Sequence, residues 1–500
     1  MTPLAYKFKH LIQLIIVLGC INSLQGQITF WRRYSIFKLF FNNSILVLSD
    51  SGYLLGVAVV DSANMNGGYA GVYRFSPEGD SLWIKFYPPR FPGTSDFDNI
   101  CQTMDGEYVA IGYWVFYEPD TTRASHIIAK IGQLGNLRWV KFYDDESQEN
   151  YYDFLDLCAT ADSGFALTVF STKWNGNRSE DRCFLWKFDL SGNLLWTKEY
   201  LPVNDSALEL HRLQKTLDRG FILGAVVTTL RGLVLTSALI KTDRSGNVQW
   251  IKVFNDSALD RAFIHDLCET SDSGYVACGI TAWSEKPGAW VWKLDQWGNE
   301  QWRYVLPVSS SHHWYLWTVT PTGDGGCVVG GRCDYTQYYA VAKLVRFDRS
   351  GEIVWVRDYG ITPDSNRFSD IYCAETALDG GFVFTGYVGS FECFVKTDSL
   401  GMVYSKIAEE RKNMDFRILP VVFPNPVRKR AFIHYFALTS GRFSLVVSDA
   451  AGRLVEQREF DVPAGPGIFN WERGNLSSGI YFLGIKTPDA YTRAKVLLLE

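Results

Sequence analysis

KTDRSGNVQWIKVF, residues 241–254, decides the fold. A strand breaks at Arg244-Ser245-Gly246-Asn247 and resumes as an alternating strand around Trp250. Glycine accepts the positive φ that tight β-turns require, so this stretch predicts a hairpin. The hairpin recurs as RFSPEGDSLWIKFY, KIGQLGNLRWVKFY, KFDLSGNLLWTKEY, KLDQWGNEQWRYVL and RFDRSGEIVWVRDY, and once more without its Trp as KTDSLGMVYS. The turn glycines are Gly79, Gly135, Gly192, Gly246, Gly298, Gly351 and Gly401, a period of 50–57 residues. A second landmark keeps step with the first. It is an Asp-x-Gly turn, Asp-Gly in one unit, followed by an aromatic or apolar strand: DSGYLLGV at 50, DGEYVAIGY at 105, DSGFALTV at 162, DRGFILGA at 218, DSGYVACGI at 272, DGGCVVGG at 324 and DGGFVFTGY at 379.

Two landmarks holding one period define a repeat with room for four short strands per unit. Four-stranded units repeated radially predict a seven-bladed β-propeller over 27–410, each unit burying what its neighbour would expose. The chain around QITFWRRYS, 27–35, fits the same frame. Trp31, Arg33 and Tyr34 match the Trp strand that the seventh unit lacks, where Ser405 stands in place of Trp. The N-terminal strand is therefore expected to complete the last blade and remove two open sheet edges.

Composition agrees. Five hundred residues exceed one ordinary core, 47% hydrophobic content excludes a disordered chain, and 15% aromatic content favours sheets. A net charge of -5 gives no electrostatic footprint for nucleic acid. Residues 1–26 read as a secretory signal, with Lys7 and Lys9 before the apolar LIQLIIVLGC and INSLQG before Gln27. Val17-Leu18-Gly19-Cys20 offers a rival lipoprotein reading with Cys20 lipidated. No run is long enough for a transmembrane segment. Cys101, Cys158, Cys268 and Cys373 recur just before the Asp-x-Gly turn, the place of a buried small apolar residue.

The strand–Gly–Trp hairpin resembles that of the PQQ-like and related bacterial propeller repeats across about 27–405. The resemblance implies a fold and carries no activity: quinoprotein dehydrogenases of that style have adjacent cysteines, and this chain has none. The Asp-x-x-Gly-x-x-x-Trp spacing also departs from the sialidase Asp-box. No cofactor is expected.

After about residue 410 the Gly-Trp pattern stops, and residues 411–500 carry a net +5 against -10 for the rest. Residues 411–422 read as a linker, and 423–500 as short strands of a small immunoglobulin-like β-sandwich. This end resembles the type A C-terminal sorting domain of the bacterial type IX secretion system. The resemblance rests on Pro424-Asn425-Pro426, the Asp449…Gly452-Arg453 turn, Leu476-Ser477-Ser478-Gly479-Ile480-Tyr481-Phe482, and the basic-then-apolar Lys495-Val496. It implies a Bacteroidetes-type host, passage through the periplasm, recognition by the outer-membrane translocon, and a secreted or cell-surface protein.

Catalytic signatures are missing: no nucleophile elbow, phosphate loop, His-Glu-x-x-His or EF-hand loop occurs. His312-His313 are adjacent and cannot turn both rings to one side of a strand. The repeated Asp50, Asp162, Asp218, Asp272, Asp324 and Asp379 read as turn residues, not metal ligands. Blade topology puts both repeated short turns on one face, leaving long dissimilar loops on the other, where recognition usually resides. Trp114, Tyr117, Trp174, Trp283, Trp314 and Tyr339 are the candidate contacts there, for an unknown protein or glycan ligand. The sequence thus points to non-catalytic binding; the alternative is an extracellular polysaccharide hydrolase or lyase with its site at the channel mouth.

Overall fold

The computed structural model describes residues 27–34, 39–60, 68–87, 93–117, 122–143, 150–175, 178–201, 206–229, 235–254, 262–281, 288–306, 313–336, 339–359, 368–388, 391–403, 421–423, 427–437, 441–462, 465–486 and 491–499. They are all-β and form two compact units, one of residues 27–34, 39–59 and 68–403, the other of residues 421–499.

β1 (Phe30–Tyr34) is the first described strand. The first sheet takes β2 (Leu39–Val47), β3 (Tyr53–Val60), β4 (Gly68–Phe75) and β5 (Ser81–Tyr87). The second takes β6 (Gly93–Gln102), β7 (Tyr108–Tyr117), β8 (Thr122–Ile131) and β9 (Leu137–Tyr143). The third takes β10 (Asn150–Ala159), β11 (Gly164–Asn175), β12 (Arg178–Asp189) and β13 (Leu194–Tyr200). The fourth takes β14 (Ser206–Lys215), β15 (Phe221–Thr229), β16 (Leu235–Thr242) and β17 (Val248–Val253). The fifth takes β18 (Ala262–Glu269), β19 (Tyr275–Thr281), β20 (Ala289–Leu294) and β21 (Glu300–Leu306). The sixth takes β22 (His313–Pro321), β23 (Cys327–Thr336), β24 (Tyr339–Phe347) and β25 (Ile353–Tyr359). The last takes β26 (Ser369–Thr376), β27 (Phe382–Val388) and β28 (Phe391–Lys396), and its fourth strand is β1, antiparallel to β28.

The first strands meet in order. β2 touches β6, and contact passes through β10, β14, β18, β22 and β26 back to β2. Repeated four-stranded sheets whose first strands close on themselves are the arrangement of a β-propeller.

What holds neighbouring sheets together is repeated too. Each outer-strand Trp lies on the turn glycine of the following sheet: a Cβ on Gly135 would meet Trp83 at 2.8 Å, on Gly192 Trp139 at 2.6 Å, and on Gly246 Trp196 at 3.0 Å. Those glycines have φ of 77°, 74° and 76°, so the residue that makes the turn also makes room for the ring. Four residues after the Trp, a tyrosine reaches the same turn. Tyr87, Tyr200 and Tyr359 donate their hydroxyls to the carbonyls of Gly135, Gly246 and Gly401 at 2.8–2.9 Å.

The closing seam departs from the sequence reading by one residue. In β5, β9, β13, β17, β21 and β25 the Trp pairs with a cation at the end of the preceding strand, as Trp250 does with Lys241. In β1 the residue opposite Lys396 is Phe30, not Trp31. Alternation then sends the two rings to opposite faces. Phe30 packs on Tyr53 and Phe394 and covers Gly79 of the first sheet, while Trp31 faces back to Tyr359 of the sixth. Arg32 completes the seam with its Nε donating to the Gly79 carbonyl at 3.0 Å and an ion pair to Asp80 at 2.9 Å.

The Asp-x-Gly aspartates form turns, as their spacing predicts, and carry a partner that spacing did not reveal. In every sheet the last cation of the third strand reaches back to them. The pairs are Arg74–Asp50, Lys130–Asp105, Lys187–Asp162, Lys241–Asp218, Lys293–Asp272, Arg346–Asp324 and Lys396–Asp379, all at 2.5–2.9 Å. Lys293 is fully buried, and Thr270 and the Gly274 N–H add to the same aspartate. Nine cysteines, including the four recurrent ones, are buried free thiols.

In the second unit, β29 (Val421–Phe423), β30 (Arg430–Ala437) and β33 (Gly465–Glu472) form a three-stranded sheet. β31 (Gly441–Asp449), β32 (Leu454–Val462), β34 (Gly479–Lys486) and β35 (Tyr491–Leu498) form a four-stranded one. One core joins Trp471 of the first sheet to Phe443, Leu445, Val447, Tyr481, Leu483, Ile485, Val496 and Leu498 of the second.

Candidate functional site: the axial cavity

A cavity of about 960 Å³ is lined by a segment of the first strand from all seven sheets, with Tyr113, Val115, Ala124 and His126 of the second sheet widening it. The strands reach it through a recurring irregularity. β6, β10, β14, β18, β22 and β26 each carry a bulge, after Phe97, Phe154, Leu210, Ile264, Leu316 and Ile371. A bulge bends a strand and re-aims its side chains. The residues beyond it, six before each turn aspartate, are Asn99, Asp156, Arg212, Asp266, Thr318 and Cys373, polar in five cases of six.

These polar residues stitch each sheet to the next. Asn99 donates its amide to Asp156 Oδ1. Asp156 accepts the Leu157 N–H at 2.8 Å and, across the sheet boundary, the Leu213 N–H at 2.7 Å. Arg212 Nε donates to the His265 carbonyl, and Asp266 accepts from Leu267 and Val319 at 2.9 and 2.8 Å. Thr318 Oγ1 accepts the Ala374 N–H at 3.0 Å. Burial pushes Asp156 up to about 6 against the pull of Arg212 and two N–H donors, and raises Asp266 likewise. Burial also holds His265 down at about 3, helped by Arg212 and His211, so its ring is neutral where it packs at 4.6 Å on Trp317.

Two carboxyls stand apart from that stitching. Asp98 sits at the bulge of β6 with Asp153 and His126 in the same lining; the surrounding protein first, by desolvation, then Asp96 and Asp153 push its pKa up, while the residue stays open to solvent. His126 Nδ1 lies 3.9 Å from Asp153 Oδ1. Glu375 is raised to about 8 by burial and by Asp266, against a Thr320 hydrogen bond. Among the described residues no group of three or more His, Cys, Asp or Glu is placed to hold a metal ion.

The expected contact residues fall in different places. Trp114 lies within β7, 5% exposed, its ring edge-on to Phe142 at 5.3 Å, so it belongs to the core between the first two sheets. Tyr117 ends β7, Trp174 lies near the end of β11, and Trp283 is outside the described residues. Trp314 and Tyr339 both lie at one end of the sixth sheet, connected through Lys343 and Tyr335, and Trp314 also packs on the core between the fifth and sixth sheets. Lys343 Nζ, held by Asp358, stands 5.5 Å from the Trp314 ring and 5.6 Å from Tyr335, and Tyr335 lies 5.6 Å from Tyr339. Most connections at that end of the sheets fall outside the described residues. In the second unit Gly452, at φ 80°, and Arg453 complete the turn on Asp449, with the Arg453 N–H donating to Asp449 Oδ1 at 2.9 Å. Gly479 opens β34, Ile480 is exposed and Tyr481 is buried. Lys495 pairs in register with Phe482, and Pro424, Asn425 and Pro426 lie outside the described residues.

Sequence reasoning missed Asn99, Asp156, Arg212, Asp266 and Thr318, although aligning the repeats on the turn aspartate places a polar side chain six residues upstream in each of these units. Asp98, Asp153, His126 and Glu375 were missed as well, and share no such position.

The fold and cavity together define an all-β propeller-type repeat unit followed by a two-sheet C-terminal module. Residues 421–499, that module, match the secretion system C-terminal sorting domain, the domain of type IX export. Export by that system, to the cell surface or beyond, is what the module implies. No curated protein matches the chain in sequence. Among solved structures, the chain is similar to a protein of unknown function from Dyadobacter fermentans at 9% identity and TM-score 0.38, over 59% of this chain and 92% of that one. It is also similar to the β-propeller domain of the Trilobed protease from Pyrococcus furiosus, at 10% identity and TM-score 0.39, over 74% and 99%. A third is an acylaminoacyl peptidase from Pyrococcus horikoshii, at 10% identity and TM-score 0.39, over 81% of this chain and 60% of that one. Among the described residues no helix is long and apolar enough to cross a membrane.

Proposed function

We propose that the chain is a seven-bladed β-propeller over about 27–410, exported through the periplasm by a β-sandwich over 423–500, that binds an extracellular protein or glycan without catalysis. The contact face is the end of the sheets opposite the two short turns. The observation supporting a non-catalytic cavity is the use of its buried acids. Both oxygens of Asp156 and of Asp266 accept backbone N–H groups, one from the next sheet, so their raised pKa values accompany a structural role. At the proposed face, Tyr335 and Tyr339 pack on each other beside Trp314, with the buried Lys343, paired to Asp358, fixing Trp314 and Tyr335, and this aromatic area suits sugar rings or a protein surface.

One observation supports the alternative of a polysaccharide hydrolase or lyase. Asp98, its pKa raised, shares the lining of an open cavity with the close pair Asp153 and His126, a set of groups from which a general acid could be drawn. A glycan array and pull-down with the secreted protein test the first reading. Tyr339→Ala should abolish capture with the fold intact, and Trp314→Ala should do so with some loss of melting temperature, because Trp314 also packs on the core. Release of reducing ends from a polysaccharide, lost in Asp98→Asn, decides for the enzyme instead. Deleting 421–500 should leave the protein in the periplasm; continued export would overturn the sorting assignment.

A further inference from the structure

Gln27 makes two contacts that a residue near a chain end has no local reason to make. Its Nε2 donates to the carbonyl of Asp379 at 2.6 Å, and its Oε1 accepts the N–H of Ser399 at 2.8 Å. Those partners are 352 and 372 residues away in sequence. They belong to the two turns of the last sheet, the one joining β26 to β27 and the one following β28. One side-chain amide therefore spans both turns of the sheet that β1 completes.

Register explains why it sits there. Phe30 fills the Trp slot, so Gln27, three residues earlier, fills the slot of Asn193, Asn247 and Asn299 in the continuous hairpins. Each of those asparagines donates its amide to its own turn aspartate at 2.9 Å. In the last sheet the outer strand arrives from the other end of the chain. The longer Gln side chain there takes over part of the work that covalent continuity does elsewhere.

We propose that Gln27 latches the ring as the first residue of the mature chain, and that its conversion to pyroglutamate is a modification the closed latch excludes. The modification half rests on the reading that the leader is removed before Gln27. In cyclisation the free α-amino nitrogen attacks Cδ, the N–Cδ bond forms, the Cδ–Nε2 bond breaks, and Nε2 leaves as ammonia with no change of oxidation state. The product has no Nε2 donor for Asp379, and its carbonyl is folded back onto its own backbone, away from Ser399. Latching and cyclisation compete for the same atoms.

The test is mass spectrometry of the N-terminal peptide from mature protein incubated with a glutaminyl cyclase, native and in urea, read as loss of one ammonia. Native protein should cyclise about tenfold or more slowly than the unfolded chain, because reaction requires local opening of the latch. Cyclised protein, refolded, should melt lower than its glutaminyl form, and Gln27→Ala should melt lower too. Equal rates in the two states overturn the protection. A Gln27→Ala protein that melts like the parent overturns the latch. A mature terminus other than Gln27 appears directly in the same spectra and overturns the modification while the Gln27→Ala melt still judges the latch.

Discussion

Lys293 carries the point at the scale of single residues. Its ammonium is fully buried and its compensation comes from Asp272, Thr270 and nothing diffuse. Burial alone would raise the Asp272 carboxyl; Lys293, Thr270 and the Gly274 N–H together outweigh it and hold the group below its ordinary value. A depressed carboxylate adds stability that is present above its unfolded pKa and lost as pH falls through the folded one. Asp272→Ala, leaving a buried cation unpaired, should cost about 2–4 kcal/mol by urea denaturation at neutral pH, with solvent reaching Asp272 keeping it below the usual range for buried pairs. Lys293→Met leaves only a partly exposed carboxylate and should cost clearly less; the reverse order would contradict the clasp. Glu375 works with the opposite sign. Its folded pKa is raised to about 8, so its contribution is fully present below the unfolded value and disappears as pH rises through 8. Glu375→Gln should flatten the fall of melting temperature between about pH 5 and 9, and a difference curve with no slope there would remove Glu375 from the account.

The unit of construction at the next scale is the Gly–Trp hairpin, where one element's turn becomes the next element's packing surface. Gly246 is required twice over, by its φ of 76° and by the Trp196 ring that a Cβ would meet at 3.0 Å. Gly246→Ala should therefore destabilise by about 1–3 kcal/mol in thermal or urea melts. Gly323→Ala, at a glycine with nothing within 4 Å, should be near neutral; equal losses at the two would mean that ring and turn are unrelated. These hairpins were legible in sequence because Trp is rare, Gly has a distinctive turn chemistry, and the two recur at one period. The clasp lysines were less so, since a charged residue at a strand end reads as solvated until the turn aspartate is seen beside it. Register in β1 failed for a related reason: Phe30 and Trp31 are both large aromatics, and a strand offers a face to each. Trp114 misled because β7 runs through to Tyr117, carrying into the core a ring that sequence assigned to a loop. The axial polar layer was invisible to motif reading because its members differ in type and share only a position.

Across the whole molecule the arrangement depends on a strand that the chain delivers first and uses last. All seven boundaries between consecutive sheets are crossed by chain that runs from the fourth strand of one sheet to the first strand of the next, β1 to β2 included. The break in the chain lies inside the last sheet, between β28 and β1, where strand pairing and Gln27 join the two ends while Phe30 and Arg32 of β1 pack on the first sheet. Loop-closure entropy for the β1–β28 pair spans the whole repeat region, so its contacts form against the largest entropic cost of any strand pair in the unit. Without β1, the free edge of β28 and the exposed Tyr53, Phe75 and Phe394 cluster offer an unpaired strand beside an aromatic patch, the combination that promotes edge-to-edge association. Mature protein lacking residues 27–35 should thus melt at lower temperature, unfold with reduced cooperativity by calorimetry, and sediment as higher oligomers. A synthetic peptide of sequence QITFWRRYS added in trans should restore monomers and raise the melting temperature in a concentration-dependent way, by the mass-action linkage of any ligand that binds only the folded form. The same peptide with Phe30→Ala should fail more severely than one with Trp31→Ala, because Phe30 covers the Gly79 turn of the first sheet and Trp31 only rests against a sheet already joined by the chain. Rescue by the Phe30→Ala peptide equal to that by the parent would mean that β1 supplies backbone pairing alone, and that the ring is shut by hydrogen bonds and not by the aromatic seam.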